Sequence, residues 1–220
     1  MNKAAGEKPD WKGRFALHHA LVAGDVAYSS WRDGGLIVLD VKDKSAPKMI
    51  AHRNWSPPFA GGTHSALPLV DRNLLVVADE AVQDIDQEPM KHTWIFDIRT
   101  LENPVSIATV PIPSDQDYVK KGGHFGPHNL WENRPGAYQS SDIIFATYQN
   151  AGLRIFDIRN PFRPEEIGYF VPVPPERSMD PRPATTKTVL HTADVYVQPD
   201  GLIYLTDFNG GLTIVEWNGA

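Results

Sequence analysis

The sequence predicts an all-β protein, a β-propeller built from four recognisable four-stranded blades, and three observations carry that prediction. One strand motif recurs four times at a nearly constant interval. Turn formers, 17 Gly and 19 Pro, are spread along all 220 residues, as many short strands require. No segment shows the apolar periodicity of an amphipathic helix.

The motif is Gly35 to Val41, His92 to Ile98, Gly152 to Ile158 and Gly211 to Trp217, each an apolar run interrupted by one acid near its end. The acids Asp40, Asp97, Asp157 and Glu216 follow one another at 57, 60 and 59 residues. A period of that size marks a supersecondary unit that buries its faces only by stacking on its neighbours. In the first three copies a proline stands seven residues beyond the acid, at Pro47, Pro104 and Pro164, ahead of a further apolar run such as Val105 to Val110. A carboxylate at a strand end accepts hydrogen bonds from the amides of the following turn, and proline presets the backbone entering the next strand. Asp40, Asp97 and Asp157 are therefore read as turn residues.

Upstream of each copy lie two more strands. The inner ones begin at His18, His64, His128 and His191, and the next are Val26 to Ser29, Leu75 to Ala78, Ile144 to Thr147 and Ile203 to Thr206. The blades fall near 15–55, 60–113, 124–173 and 189–220, after a polar tail over 1–14. Glycine-rich turns at Asp33-Gly34-Gly35 and Asn209-Gly210-Gly211 complete the pattern of a propeller. The fourth unit stops after its third strand, and the charged, Gly- and Pro-containing tail is a poor strand to replace the missing one. The expectation is an incomplete ring, completed by a second copy as a homo-oligomer or by further blades.

Composition narrows the function. With 21 Lys and Arg against 27 Asp and Glu the net charge is -6, the wrong sign for a protein that grips phosphates, so nucleic acid is not an expected partner. Cysteine is absent, which excludes disulfides, thiolate zinc sites and cysteine nucleophiles. No Gly-rich loop precedes a Lys-Ser or Lys-Thr pair and no serine elbow is found, which disfavours nucleotide hydrolysis and serine acyl transfer. The first twelve residues carry no apolar run, so a soluble, cytoplasmic protein with no membrane partner is expected.

The chemical signal lies in the eight histidines. His18, His64, His128 and His191 occupy one register, at the start of strands that line the axis of a propeller. Converging imidazoles suit a transition metal ion, Fe, Mn, Zn or Cu, better than calcium or magnesium. The competing reading places each histidine in a hydrogen-bond network within its own blade. His124, in the loop Gly122 to Asn129, is a candidate further ligand, substrate-binding group or proton shuttle. Asp79, Glu80 and Glu132 are candidates to orient ligand imidazoles, and His124, Glu80 and Glu132 form the candidate catalytic set. The stretch Trp55 to Gly62, too rich in Pro and Gly for a strand interior, is a candidate pocket rim. Two functions follow: metal-dependent chemistry on a small molecule, oxygenase or hydrolase, or a non-catalytic scaffold for a protein partner.

The segments Gly35 to Asp40, Gly152 to Arg159 and Gly211 to Glu216 resemble the repeat of the LVIVD-repeat proteins. The resemblance extends to Gly62 to Leu69, Gly126 to Leu130 and Ala151 to Pro172, and it covers nearly the whole chain from Ala16. It implies a β-propeller and, because members of the family are generally longer, the C-terminal portion of a larger one. It implies no reaction, so function rests on the site itself.

Overall fold

The computed structural model describes residues 13–59, 61–83, 88–179 and 188–219. The tail expected over 1–14 lies outside the described residues except for its last two, and so does Ala60 of the candidate rim. The architecture is all-β, as the repeat predicts. Unit 1 comprises β1 (Phe15–Ala23), β2 (Val26–Arg32), β3 (Leu36–Asp40) and β4 (Lys48–Arg53). Unit 2 comprises β5 (Thr63–Leu69), β6 (Leu74–Asp79), β7 (Thr93–Asp97) and β8 (Val105–Thr109). A short α1 (Tyr118–Lys121) precedes unit 3, with β9 (Ile143–Thr147), β10 (Leu153–Asp157) and β11 (Glu165–Phe170). Unit 4 holds β12 (Thr192–Val197), β13 (Leu202–Asp207) and β14 (Gly211–Glu216). Among the described residues no helix is long and apolar enough to cross a membrane.

All named strand pairs are antiparallel, and each unit runs as a meander from the inner edge outward. A single pairing, Arg32 with Thr63, joins units 1 and 2 into one eight-stranded sheet. The motif acids act as expected: Asp40, Asp97 and Asp157 accept the amides of Lys42, Arg99 and Arg159 at 2.9, 2.9 and 2.8 Å. Replacing Asp97 by Ala is expected to cost about 1 kcal/mol, the worth of a local cap. Urea denaturation checks this, and an unmoved midpoint would contradict the turn role. The glycine that opens the motif is required sterically at two copies. A Cβ on Gly35 would meet the Arg53 carbonyl oxygen at 2.2 Å and one on Gly152 would meet that of Phe170 at 2.3 Å, with φ of +80° and +76°.

One expected strand is not regular. The inner edge of unit 3, entered at His128, makes an isolated bridge of Leu130 with Ala146 instead of a ladder. Its backbone still follows β9, through His128 N–H to the Thr147 carbonyl and Trp131 N–H to the Phe145 carbonyl, both 2.9 Å. Pro127 lacks an amide to extend the pairing upstream, and Asn133, with φ of 52°, turns the chain away downstream.

Strand alternation gives every unit two faces, and three of the four core clusters among the described residues lie between successive units, the fourth being Tyr118, Tyr148 and Ala151 beside α1. Tyr28, Leu36 and Val38 of unit 1 pack against Leu75, Val77, Trp94 and Phe96 of unit 2. The opposite face of unit 2, Val76 and Ile95 among it, meets Ile144, Ala146 and Phe156 of unit 3. The opposite face of unit 3, with Phe145, Leu153 and Ile155, meets Val195, Val197, Ile203 and Leu205 of unit 4. The outer faces stay exposed: Val22 and Met49 on unit 1 are 61% and 66% accessible, and Leu212 and Ile214 on unit 4 are 59% and 53%. Among the described residues the units are therefore stacked as the blades of an incomplete ring.

Candidate metal centre

The axial ends of the blades are set by one position in the repeat. The pairs Ser30 with Leu36, Ala78 with Thr93, Thr147 with Leu153 and Thr206 with Leu212 are equivalent in the four ladders. Two residues beyond the first member of each pair stand Arg32, Glu80, Gln149 and Phe208. In units 1 and 3 the turn is closed by matching hydrogen bonds, Trp31 N–H to the Gly35 carbonyl and Tyr148 N–H to the Gly152 carbonyl, at 2.8 and 2.7 Å. It holds Arg32 and Gln149 in the left-handed region, at φ of 51° and 46°.

Glu80 brings two of the register histidines together. Its Oε1 lies 3.3 Å from His128 Nε2 and its Oε2 lies 3.6 Å from His64 Nε2. His64 and His128 face each other with ring centroids 4.5 Å apart. The ligand atoms of His64, Glu80 and His128 all fall within 4.8 Å of one another, a spacing that one ion can bridge. This group could hold a metal.

The protonation pattern suits that use. His128 Nδ1 is bonded to the Ala193 carbonyl, an acceptor only, so in its neutral form the ring carries its proton at Nδ1 and presents a lone pair at Nε2. Burial lowers His64 to about 2, so it stays neutral, as a ligand must. Burial alone would raise Glu80, but its neighbours His128, His64 and Arg32, of which Arg32 is the permanent cation, outweigh it and hold its carboxyl well below the usual range. Glu80 is therefore an anion at neutral pH. The Arg32 guanidinium donates to the same Oε2.

The other expected site residues lie around this group. His18 stacks on His64 at 3.7 Å between centroids and donates from Nδ1 to the His64 carbonyl at 2.9 Å. Burial lowers its pKa, against that hydrogen bond. His191 turns towards His124: its Nε2 accepts the His124 amide at 3.3 Å, and their rings lie 4.8 Å apart. Phe208 touches both His128 and His191, at 5.9 and 6.0 Å between centroids. Glu132 pairs with His19, Oε1 to Nε2 at 2.7 Å, and with Arg134. Asp79 points away from the axis, where it accepts Thr63 Oγ1 and the indole N–H groups of Trp55 and Trp94. Burial pushes it up to about 6, against those hydrogen bonds. Trp55 thus caps the core between units 1 and 2, and Gly61 of the same stretch accepts from the buried Lys91.

Arg32 is the functional group that reading the histidine register misses. Counting three residues back from Gly35, Gly152 and Gly211 finds Arg32, Gln149 and Phe208, but the longer loop before His92 hides Glu80 from the same count. Only the strand register shows the four to be equivalent.

Comparison with known proteins agrees with the repeat. The family model for the LVIVD repeat matches residues 20–53, which span β2, β3 and β4 of unit 1. The chain carries an LVIVD repeat. No curated protein matches this LVIVD-repeat chain. Among solved structures, the computationally designed Ika4 protein is similar, at 10% identity and a TM-score of 0.52, over 98% of this chain and 99% of that one. The computationally designed Ika8 protein aligns at 10% identity and a TM-score of 0.40, over 91% of this chain and 58% of that one. At such identity the Ika4 likeness concerns fold alone.

Proposed function

We propose that His64, Glu80 and His128 bind a divalent transition metal ion, Fe, Mn, Zn or Cu, and that the protein uses it in chemistry on a small molecule, of the oxygenase or hydrolase class. The observation that carries this reading is the approach of His128 Nε2 to Glu80 Oε1 at 3.3 Å. Two lone pairs at that distance repel unless a proton or a cation stands between them. A metal ion satisfies both and the His64 nitrogen as well. Three protein ligands leave coordination positions open, as catalytic sites do, and the bound ion supplies a Lewis acid or an activated water.

The second reading answers the same contact with a proton. A doubly protonated His128 donating to both the Ala193 carbonyl and Glu80 would complete an ion-pair network with Arg32, inside a non-catalytic scaffold for a protein partner. Arg32 on Glu80 favours that reading, because it already neutralises the carboxylate.

Metal analysis divides the two. Protein produced without a His tag is expected to carry close to one metal ion per chain after dialysis against a weak chelator. His64→Gln and His128→Gln should each lose it while remaining folded. Metal below a tenth of an equivalent after reloading with each of the four metals would favour the scaffold.

A further inference from the structure

Arg32 has a place in the site that metal binding alone does not explain. Its side chain is 12% accessible, against 13% for Glu80, so it sits at the inner margin of the group with little water around it. Glu80 is the sole hydrogen-bond partner of that side chain among the described residues, through Nη1. A guanidinium offers five N–H donors in a planar fork, so most of the fork is unused. At the same repeat position Gln149, also left-handed, is wholly buried and donates to the Ala81 carbonyl. The fold does not need a cation there.

The charges sharpen the question. While Glu80 is shared only with Arg32, the pair is neutral. Once Glu80 coordinates a divalent ion its charge is drawn to the metal, and the ion with the guanidinium leaves an excess of positive charge in a poorly hydrated space. An anion is needed to balance it. Flat rings stand beside the pair, His18 on His64 at 3.7 Å and His64 facing His128 at 4.5 Å between centroids. A planar, two-oxygen anion suits the fork, which pairs with carboxylates through parallel hydrogen bonds.

We propose that Arg32 anchors a carboxylate-bearing small molecule beside the metal ion, so that the substrate of this site is a carboxylic acid. This rests on the metal reading above. The anchor holds the molecule with one carboxylate edge on Nε and Nη2 while the open coordination positions face the rest of it. Metal and carboxylate then bind with positive coupling, each tightening the other by the same factor.

The test is a Co(II) titration of the full chain in a non-coordinating buffer, followed by absorption spectroscopy, with and without acetate. Acetate is expected to tighten Co(II) binding by roughly tenfold and to change the visible spectrum. In Arg32→Gln, which copies the residue of unit 3, Co(II) should bind at least as tightly as in the parent and acetate should shift affinity by less than about twofold. Arg32→Lys, which keeps the charge without the fork, should fall between. Failure of Co(II) to bind at all overturns the metal reading and this proposal together. Co(II) binding that ignores acetate, or that responds to it equally in Arg32→Gln, overturns the carboxylate anchor and leaves the metal reading standing. A response to inorganic phosphate without one to acetate overturns the carboxylate class.

Discussion

Glu80→Gln is expected to weaken metal binding by roughly 100-fold or more, because it removes both a ligand and the only anion of the group. The same change leaves Arg32 without its partner at 12% accessibility, so stability should fall as well, by about 1–3 kcal/mol. The two effects separate in a double variant. Glu80→Gln with Arg32→Gln removes both charges, so it should recover most of the lost stability and none of the metal affinity. Isothermal titration with Zn(II) and urea denaturation measure the two quantities on one preparation. If metal affinity returns together with stability, the site is an ion-pair network and Glu80 is no ligand.

The second large effect lies in unit 3, away from the axis. Arg154 is fully buried, and its Nη1 pairs with Asp115 Oδ1 at 2.7 Å and Glu166 Oε1 at 3.3 Å. The guanidinium also donates to the Tyr118 hydroxyl and to the Ala151 carbonyl, and it stacks on Tyr169 at 4.7 Å from the ring centroid. Trp94 fills the equivalent position in unit 2, packed in an apolar core. Arg154→Ala should destabilise the protein by about 3–5 kcal/mol, since it opens a cavity where a fully buried side chain stood and leaves the partly exposed Asp115 and Glu166 without their cation. Arg154→Met combined with Asp115→Asn and Glu166→Gln removes the charges as a set, and its stability should lie within about 1–2 kcal/mol of the parent. Chemical denaturation checks both. A mild Arg154→Ala would mean that water reaches the two acids as soon as Arg154 is gone.

Much of this fold was legible because its strongest signals are local. The Asp that caps a turn, the glycine under a carbonyl and the alternation of Val76 with Val77 are each dictated within a few residues. The inner edge of unit 3 was not, because pairing there depends on whether Pro127 and Asn133 leave enough free amides, and the histidine register conceals that loss. The site was legible in half. His64 and His128 stand together because both enter inner strands, but the departure of His191 towards His124 is set by a loop whose course no register encodes. From the sequence Glu80 is a candidate orienting acid. Its place as a candidate ligand follows from the repeat position it shares with Arg32 and Gln149, which depends on strand pairing across a loop of variable length. In the sequence Arg154 is one more member of an apolar motif, and its burial depends on charge partners, Asp115 and Glu166, that the fold brings to it from elsewhere in the chain.

The two-faced construction of the units also gives the molecule a direction. Each junction joins the same side of one unit to the opposite side of the next, so the stack has a head and a tail, as a filament does. A duplicated unit set into such a series finds both of its neighbours already shaped to receive it, whereas a unit turned end for end finds neither. Lengthening by whole repeats is therefore a small step for this architecture, taken without redesign of any existing contact, while change within a repeat must satisfy two neighbours at once. That asymmetry lets the axial positions diverge to Arg, Glu, Gln and Phe while the stacked faces keep to one apolar pattern.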